Sequence, residues 1–386
     1  MSMRATLRAG GLKTYCIAAI NTIIWCIRMF NRIAFLKLCC PGDLLFTTPA
    51  VRAMKKSFPE SELLYVCGEY SRFVPEHNPH ITATSIMPPP FEMTGRFRTI
   101  RALASGIKAL AAQKIDLVVS FHRSPALATM ARLAGIKQVL GFDTSRPPAT
   151  ISVPFDSKAH EVKRYLKLVS AIGASGAGEE LEYETSTRED EEAELLLRVS
   201  GIFGPFAAIA PGGGENPGTR MEIKRWPAAK YKEVVSYLKT KLGLQTIAVG
   251  SPQEMALADS IGADRNLAGK TTFPLLAAIL KRAAIFIGND SGPLYLASAV
   301  GTKTVGIYGP SSPDLVAPPG RAHISVINRV GCHPCYHPDK LSRGEVSCPI
   351  GTWACMLTLR TEHVVDAIGK LLLPAPDAIP QQGNVR

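Results

Sequence analysis

Residues 285–313 read IFIGNDSGPLYLASAVGTKTVGIYGPSSP. An apolar run, Ile285–Ile287, stops at Gly288-Asn289-Asp290-Ser291-Gly292-Pro293. A helix-forming stretch follows, then a second apolar run that stops at Gly309-Pro310-Ser311-Ser312-Pro313. Short apolar runs bounded by turn residues and separated by a helix are the pattern of a βαβ unit, with strands buried on both faces. Gly288 lets the chain turn sharply out of the strand. Asp290 and Ser291 are candidate caps for the helix that follows, and Pro293 suits its first turn. The amide groups and dipole at such a helix start favour an anion, most often phosphate. A plain strand-to-helix turn is the alternative.

The same alternation extends upstream. Ile33–Leu38 predicts a strand that ends at Pro41-Gly42-Asp43, with Thr47 or Thr48 capping a helix that carries Pro49 in its first turn. Strands are expected at 62–68, 115–122 and in KQVLGF, with helices at about 97–113 and 160–173. Residues 174–200 change character, from small residues to an acidic run, and mark a linker followed by a helix. Beyond it the pattern resumes. PFAAIAP predicts a strand, GGGENPGTRMEIKR a long glycine-rich loop, and WPAAKYKEVVSYLKTKLG a helix. The expected architecture is therefore α/β, with two doubly wound parallel-sheet domains facing a central cleft.

A chain of 386 residues fits two domains, at roughly 100–200 residues each. Its composition, 46% hydrophobic and 20% charged, suits a globular protein with sizeable cores. The net charge of +12 points to an anionic partner. No nucleic-acid-binding signature accompanies that charge, so nucleic acid is excluded as the partner. No dinucleotide-binding GxGxxG is present either. Residues 14–27, TYCIAAINTIIWCI, are uncharged and flanked by Arg4, Arg8, Lys13, Arg28 and Arg32. The stretch is short for a spanning helix, which needs about 20 apolar residues, and lacks a small-residue cleavage site. It is expected to be an interfacial helix whose basic flanks touch anionic lipid, or else an ordinary helix lying on the domain.

Ligands of open parallel sheets bind beyond the carboxyl ends of the strands. Every polar, glycine-rich break above lies at such an end. Asp43 follows the first strand; Gly212, Lys224 and Arg225 lie in the loop after PFAAIAP; Asp290, Ser291 and Gly292 follow Ile285–Ile287. Nine cysteines are present. Cys16, Cys26, Cys39, Cys40 and Cys67 sit in apolar stretches and are expected to be reduced and buried. Cys332, Cys335, Cys348 and Cys355 cluster, with His333 and His337 interleaved. Four thiolates can close a structural zinc site; disulfides and a reduced, packed loop are the alternatives.

These segments together resemble glycosyltransferase family 9, the lipopolysaccharide heptosyltransferases. The resemblance rests on Gly42-Asp43, Thr48-Pro49-Ala50 and Phe58-Pro59; on Asp116–His122 and Ala131–Phe142; on Pro211-Gly212 and Lys224–Pro227; and on Gly288–Ala297 and Gly306–Pro313, in order from about residue 33 to 370. It implies a GT-B fold of two Rossmann-like domains. The expected division is an extension at 1–32, an acceptor-side domain at 33–185, a nucleotide-sugar domain at 186–360, and a terminal helix and tail at 361–386. It implies an inverting, metal-independent transfer of heptose from ADP-heptose to a lipid A–inner-core acceptor, without a cofactor, on the cytoplasmic face of the inner membrane. Asp43 would be the general base. Lys224 would neutralise the leaving diphosphate, with the amides of Ser291 and Gly292 beside it, Asp290 on sugar hydroxyls, Gly212 near the nucleotide and Glu254 on its ribose. His122 and Arg123 would meet acceptor phosphates. Tyr295 stands where the family usually has His, and Ser311 where it has Thr. Another sugar donor or glycan acceptor is the alternative within the class; a non-catalytic phosphate- or lipid-binding protein is the alternative outside it.

Overall fold

The computed structural model describes residues 30–87, 96–123, 125–143, 149–213, 215–216, 219–336 and 344–373. The apolar stretch at 14–27, with Cys16 and Cys26, lies outside these residues, as do His337 and the tail beyond 373.

Six strands form the first sheet: β1 (Arg32–Leu36), β2 (Glu62–Cys67), β3 (Ala83–Ile86), β4 (Leu117–Ser120), β5 (Gln138–Phe142) and β6 (Ile151–Val153). Their order is β3-β2-β1-β4-β5-β6, all parallel. Ile33, Ala34, Phe35 and Leu36 of β1 are all buried, because helices cover both faces. The helix Glu161–Ser170 shows why: Val162, Tyr165, Leu168 and Val169 fall on one face at helical spacing, and all four are buried.

The second half follows the helix Thr187–Val199. That helix opens with a capping box, Ser186 with Glu189 three residues on. Its strands are β7 (Phe206–Ala210), the short β8 (Glu215–Asn216) and β9 (Thr219–Arg220), β10 (Gln245–Ala248), β11 (Arg265–Asn266), β12 (Ile285–Asn289), β13 (Thr304–Tyr308), β14 (His323–Ile327) and β15 (Gly344–Glu345). The main sheet runs β11-β10-β7-β12-β13-β14, again all parallel. Both sheets therefore have the doubly wound order, with a switch point between β1 and β4 in one and between β7 and β12 in the other. The closing helix Thr361–Leu372 packs against the helix Ala228–Leu242 and against β13 and β14.

One apolar cluster runs without a break between the halves. It holds Leu44, Phe46 and Tyr165 from the first and Phe206, Leu294 and Tyr295 from the second. The Tyr183 amide donates to the Ala299 carbonyl at 3.2 Å, and His160 Nε2 meets the Ala317 carbonyl at 2.7 Å.

Three local expectations change. The glycine-rich loop after β7 is partly ordered into the antiparallel pair β8–β9 and a 3-10 turn, Glu222–Lys224; β15 adds to β9 in parallel. A short helix, Pro41–Leu45, precedes the expected one, which spans Thr48–Ser57. Thr47 holds the cap position of the second helix but does not cap it. Its hydroxyl lies at hydrogen-bond distance of the Leu44 carbonyl, which also accepts the Thr47 amide, and of the Tyr65 hydroxyl. Cys39 and Cys40, expected to be reduced, are joined to each other by a disulfide.

Candidate active site

The two switch points face each other. Asp43 comes from the helix that follows β1, and His122 and Arg123 from the turn after β4. Gly212 comes from the turn after β7, and Asp290, Ser291 and Gly292 from the turn after β12. The helix Pro41–Leu45 packs on the helix Gly292–Ala299. Gly42 makes that approach possible, since a Cβ there would sit 2.9 Å from the ring of Tyr295.

Lys224, Asp290, Tyr295 and Ser311 form a tight polar group. Lys224 Nζ donates to Asp290 Oδ2 at 2.8 Å. The Tyr295 hydroxyl donates to Asp290 Oδ1, and the Ser311 hydroxyl to Asp290 Oδ2. Burial pushes the Asp290 carboxyl up, but Lys224, Ser311 and Tyr295 outweigh it and hold the group below its ordinary value. Burial likewise disfavours the Lys224 ammonium; Asp290 and Tyr336 outweigh that and raise it. Both charges are thus stable where they stand. Asp290 was a candidate helix cap; its carboxylate is turned to Lys224 instead. Ser291 holds the cap position of Gly292–Ala299, but its hydroxyl donates to the Asn289 carbonyl at 3.1 Å, so no side chain caps this helix.

Asn289 was not singled out in the sequence. It is fully buried and orders the carboxyl end of the second sheet. Its Nδ2 donates to the carbonyls of Pro211 and Gly212, both at 2.8 Å, and its Oδ1 accepts from the Trp226 amide at 3.1 Å and the Tyr231 hydroxyl at 2.9 Å. A buried amide with all its groups satisfied fixes a geometry. Here it locks the loop after β7 to the end of β12. The signal available in the sequence was an Asn inside an otherwise apolar strand end. Glu254 is buried beneath the same loop. It accepts from the Gly213 amide at 2.5 Å and the Ser251 amide at 2.8 Å, with Arg225 Nη2 at 3.7 Å. Gly212 has no room for a side chain, because Glu254 fills the space a Cβ would take.

Across the cleft, the Asp43 side chain is reached by solvent, with protein crowded closely around it. That enclosure raises its pKa. Glu161 adds to the rise, whereas Lys37, the Cys40 amide and Lys224 oppose it. Lys37 and Glu161 escaped the sequence reading, because a lysine ending a strand and a glutamate opening a helix are common. They meet through Tyr165, whose hydroxyl donates to Glu161 Oε2 at 2.5 Å and accepts from Lys37 Nζ at 3.1 Å. His122 accepts the Leu38 amide at Nε2, at 2.8 Å, which leaves the proton of the neutral ring on Nδ1. Burial, helped by Lys37, lowers its pKa to about 3, so it is uncharged at neutral pH. Arg123 lays its guanidinium 4.1 Å from the Phe155 ring centre.

Among the described residues, no group of three or more His, Cys, Asp or Glu is arranged to hold a metal ion. Cys332, Cys335, Cys348 and Cys355 are free thiols. Burial raises Cys335 and Cys355, and the neighbouring thiols of the cluster push in the same direction. A surface cavity lined by Gly201, Gly243, Gln245 and Arg265 opens at the amino ends of β7 and β10, at the far edge of the sheet from all these groups.

Two parallel six-stranded sheets with facing switch points make the GT-B fold, the architecture of a large class of glycosyltransferases. The family model for glycosyltransferase family 9 (heptosyltransferase) matches residues 103–343, and the chain belongs to that family. Lipopolysaccharide heptosyltransferase 3 of Escherichia coli (strain K12) is 26% identical over 287 residues, covering 69% of this chain and 79% of the relative. The crystal structure of a family 9 glycosyl transferase from Veillonella parvula superposes with a TM-score of 0.74 at 23% identity, over 89% of this chain and 97% of that one. The E. coli ADP-heptose lipopolysaccharide heptosyltransferase II superposes with a TM-score of 0.69 at 19% identity, over 89% and 98%.

Proposed function

We propose that this enzyme transfers heptose from ADP-heptose to an inner-core acceptor linked to lipid A, with inversion and without a catalytic metal. The observation that carries the reading is the opposition of Asp43 to the Lys224–Asp290 pair across one cleft. Residues 33–185 form the acceptor side and 186–360 the nucleotide-sugar side. Named relatives that act on lipopolysaccharide, and a structural neighbour named for ADP-heptose, support the choice of substrates.

In this reading Asp43 accepts the proton of the acceptor hydroxyl as the new glycosidic bond forms. A raised pKa suits a base that must take up a proton late in the reaction. The bond from the anomeric carbon to the diphosphate breaks on the opposite face of the sugar, which inverts the centre. The departing diphosphate carries the negative charge, and Lys224 meets it with an ammonium fixed by Asp290. The amides of Ser291 and Gly292 add the start of an uncapped helix. A lysine and a helix start can supply the positive charge that a metal provides elsewhere. Asp290 and Tyr295 face the sugar, Glu254 and Gly212 lie under the nucleotide, and neutral His122 with Arg123 lines the acceptor entrance. The basic surface, at net charge +12, suits an anionic lipid acceptor and the inner face of the membrane. Among the described residues no helix is long and apolar enough to cross a membrane.

The test is Asp43→Ala with ADP-heptose and heptose-deficient lipopolysaccharide. Turnover is expected to fall by about 100-fold or more while ADP binding persists. Full turnover in that variant would remove Asp43 as base. Turnover that disappears in a chelator and returns with a divalent ion would refute metal independence.

A further inference from the structure

The segment that carries the late cysteines has a place in the site that neither the resemblance nor the charge pattern suggested. It is tied to the donor side at both ends. The amides of Cys335 and Tyr336 both donate to the Pro310 carbonyl, at 3.1 and 3.0 Å, and His333 Nδ1 lies 2.8 Å from the Gly309 carbonyl. These bonds pin residues 333–336 to the carboxyl end of β13. Further on, β15 pairs with β9, and the Val346 amide donates to the Arg220 carbonyl at 2.7 Å. Arg220 lies in the loop that ends in Lys224. The described residues before and after 337–343 are therefore fastened to two different walls of the donor side.

At its fixed end it presents Tyr336. The ring lies 4.7 Å from Lys224 Nζ. Lys224 is thus held between a carboxylate and an aromatic face, with its ammonium set in one place. The phenol is half-buried and sits within electrostatic reach of Lys224, Asp43, Asp290 and Glu161. It belongs to the cleft, between the two sets of reacting groups. Its hydroxyl makes no hydrogen bond to another described residue, in contrast to those of Tyr165, Tyr231 and Tyr295. A phenol is protonated at neutral pH and burial only moves its pKa further up, so it is a donor there.

We propose that Tyr336 is a further donor-binding residue, its hydroxyl donating a hydrogen bond to the diphosphate oxygens that Lys224 neutralises. This rests on the reading of the Lys224–Asp290 side as the diphosphate site. A phenol here supplies a neutral donor beside the ammonium, adding directional contact with the leaving group without adding charge. It also gives the cysteine-bearing segment a role, as the arm that sets Tyr336 over Lys224.

The experiment is titration calorimetry of the full chain with ADP, UDP, GDP and inorganic pyrophosphate, on the wild type and on Tyr336→Phe and Tyr336→Ala. Thermal melts of the unliganded proteins accompany it. Tyr336→Phe is expected to weaken pyrophosphate and the preferred nucleotide by about 10-fold, the effect of one hydrogen bond to a charged group. Its melt is expected to be unchanged, because the hydroxyl has no partner among the described residues to lose. Wild-type binding with equal affinity in Tyr336→Phe would overturn the proposal, as would loss confined to Tyr336→Ala, which would make the ring a packing element. A wild type that binds none of the four probes would overturn the diphosphate site itself, a different and recognisable failure.

Discussion

Phe46 and Tyr295 meet edge to face, with ring centres 4.6 Å apart and planes at 60°. One belongs to the half that carries Asp43, the other to the half that carries Asp290. Tyr295 also hydrogen-bonds Asp290 through its hydroxyl. A single side chain therefore couples the junction of the halves to the charged pair. Tyr295→Phe keeps the ring contact and loses the bond to a buried carboxylate, worth about 1.5–3 kcal/mol. Phe46→Ala keeps the bond and loses the ring, at about 3–5 kcal/mol. Denaturant unfolding is expected to show the larger loss for Phe46→Ala, and sugar-donor affinity the larger loss for Tyr295→Phe.

The acid limb of activity should follow Asp43. Its folded pKa is raised, so it takes up a proton, and stops acting as base, at a higher pH than an ordinary carboxylate near 3.9. Lys37 opposes this rise and Glu161 supports it. In profiles of kcat/KM against pH, Lys37→Met is expected to move the acid limb to higher pH and Glu161→Gln to lower pH. Shifts of the same sign in both variants would disconnect these residues from the base.

His122 makes a separate prediction about stability. Its pKa falls from an ordinary 6.5 to about 3 on folding, mainly through burial. The unfolded chain therefore binds a proton that the folded chain refuses. Its contribution to stability is complete above pH 6.5 and drains away as the pH falls toward 3. His122→Gln keeps an acceptor for the Leu38 amide and cannot titrate. Unfolding free energies measured between pH 7 and pH 5 should decline less steeply in that variant.

Lys224 and Asp290 should not be equivalent. Removing Lys224 leaves Asp290 a buried carboxylate with two hydroxyl donors; removing Asp290 leaves a buried ammonium beside a ring. Of the two, it is Lys224 that meets the leaving group in the proposed mechanism, so Lys224→Met is expected to lower kcat by about 100–1,000-fold. Asp290→Asn, which retains hydrogen bonding to the sugar, should raise KM more than it lowers kcat. Steady-state kinetics in both variants separates the two roles.

The fold was legible because it depends on a coarse pattern: apolar runs of five or six residues, broken by glycine and separated by amphipathic helices. Asp43, Lys224 and Asp290 could be singled out as candidates because strand ends in such sheets are where ligands bind. Partnerships were less so. That Asp290 would turn to Lys224, 66 positions earlier, rather than cap its own helix depends on how β7 and β12 lie side by side. The bonds of Asn289 to Pro211, Gly212, Trp226 and Tyr231 have the same origin. Lys37, Glu161 and Tyr165 carry no local signature at all, and only the packing of the helix Glu161–Ser170 on the first sheet brings them to Asp43. Spacing among the four late cysteines drew attention to the thiols, while the residue that reaches the cleft is the tyrosine next to one of them.

The apolar cluster that joins the two sheets has a bearing on how this protein can come apart. Leu44 and Phe46 belong to it from one side and Leu294 and Tyr295 from the other, and all four are buried. Cutting the chain between residues 185 and 186 would strip each half of a wall of its own interior. Two halves with separate interiors melt independently; halves that share one are expected to melt in a single cooperative step. The proposed catalytic groups straddle that shared interior, so neither fragment would be a smaller working enzyme.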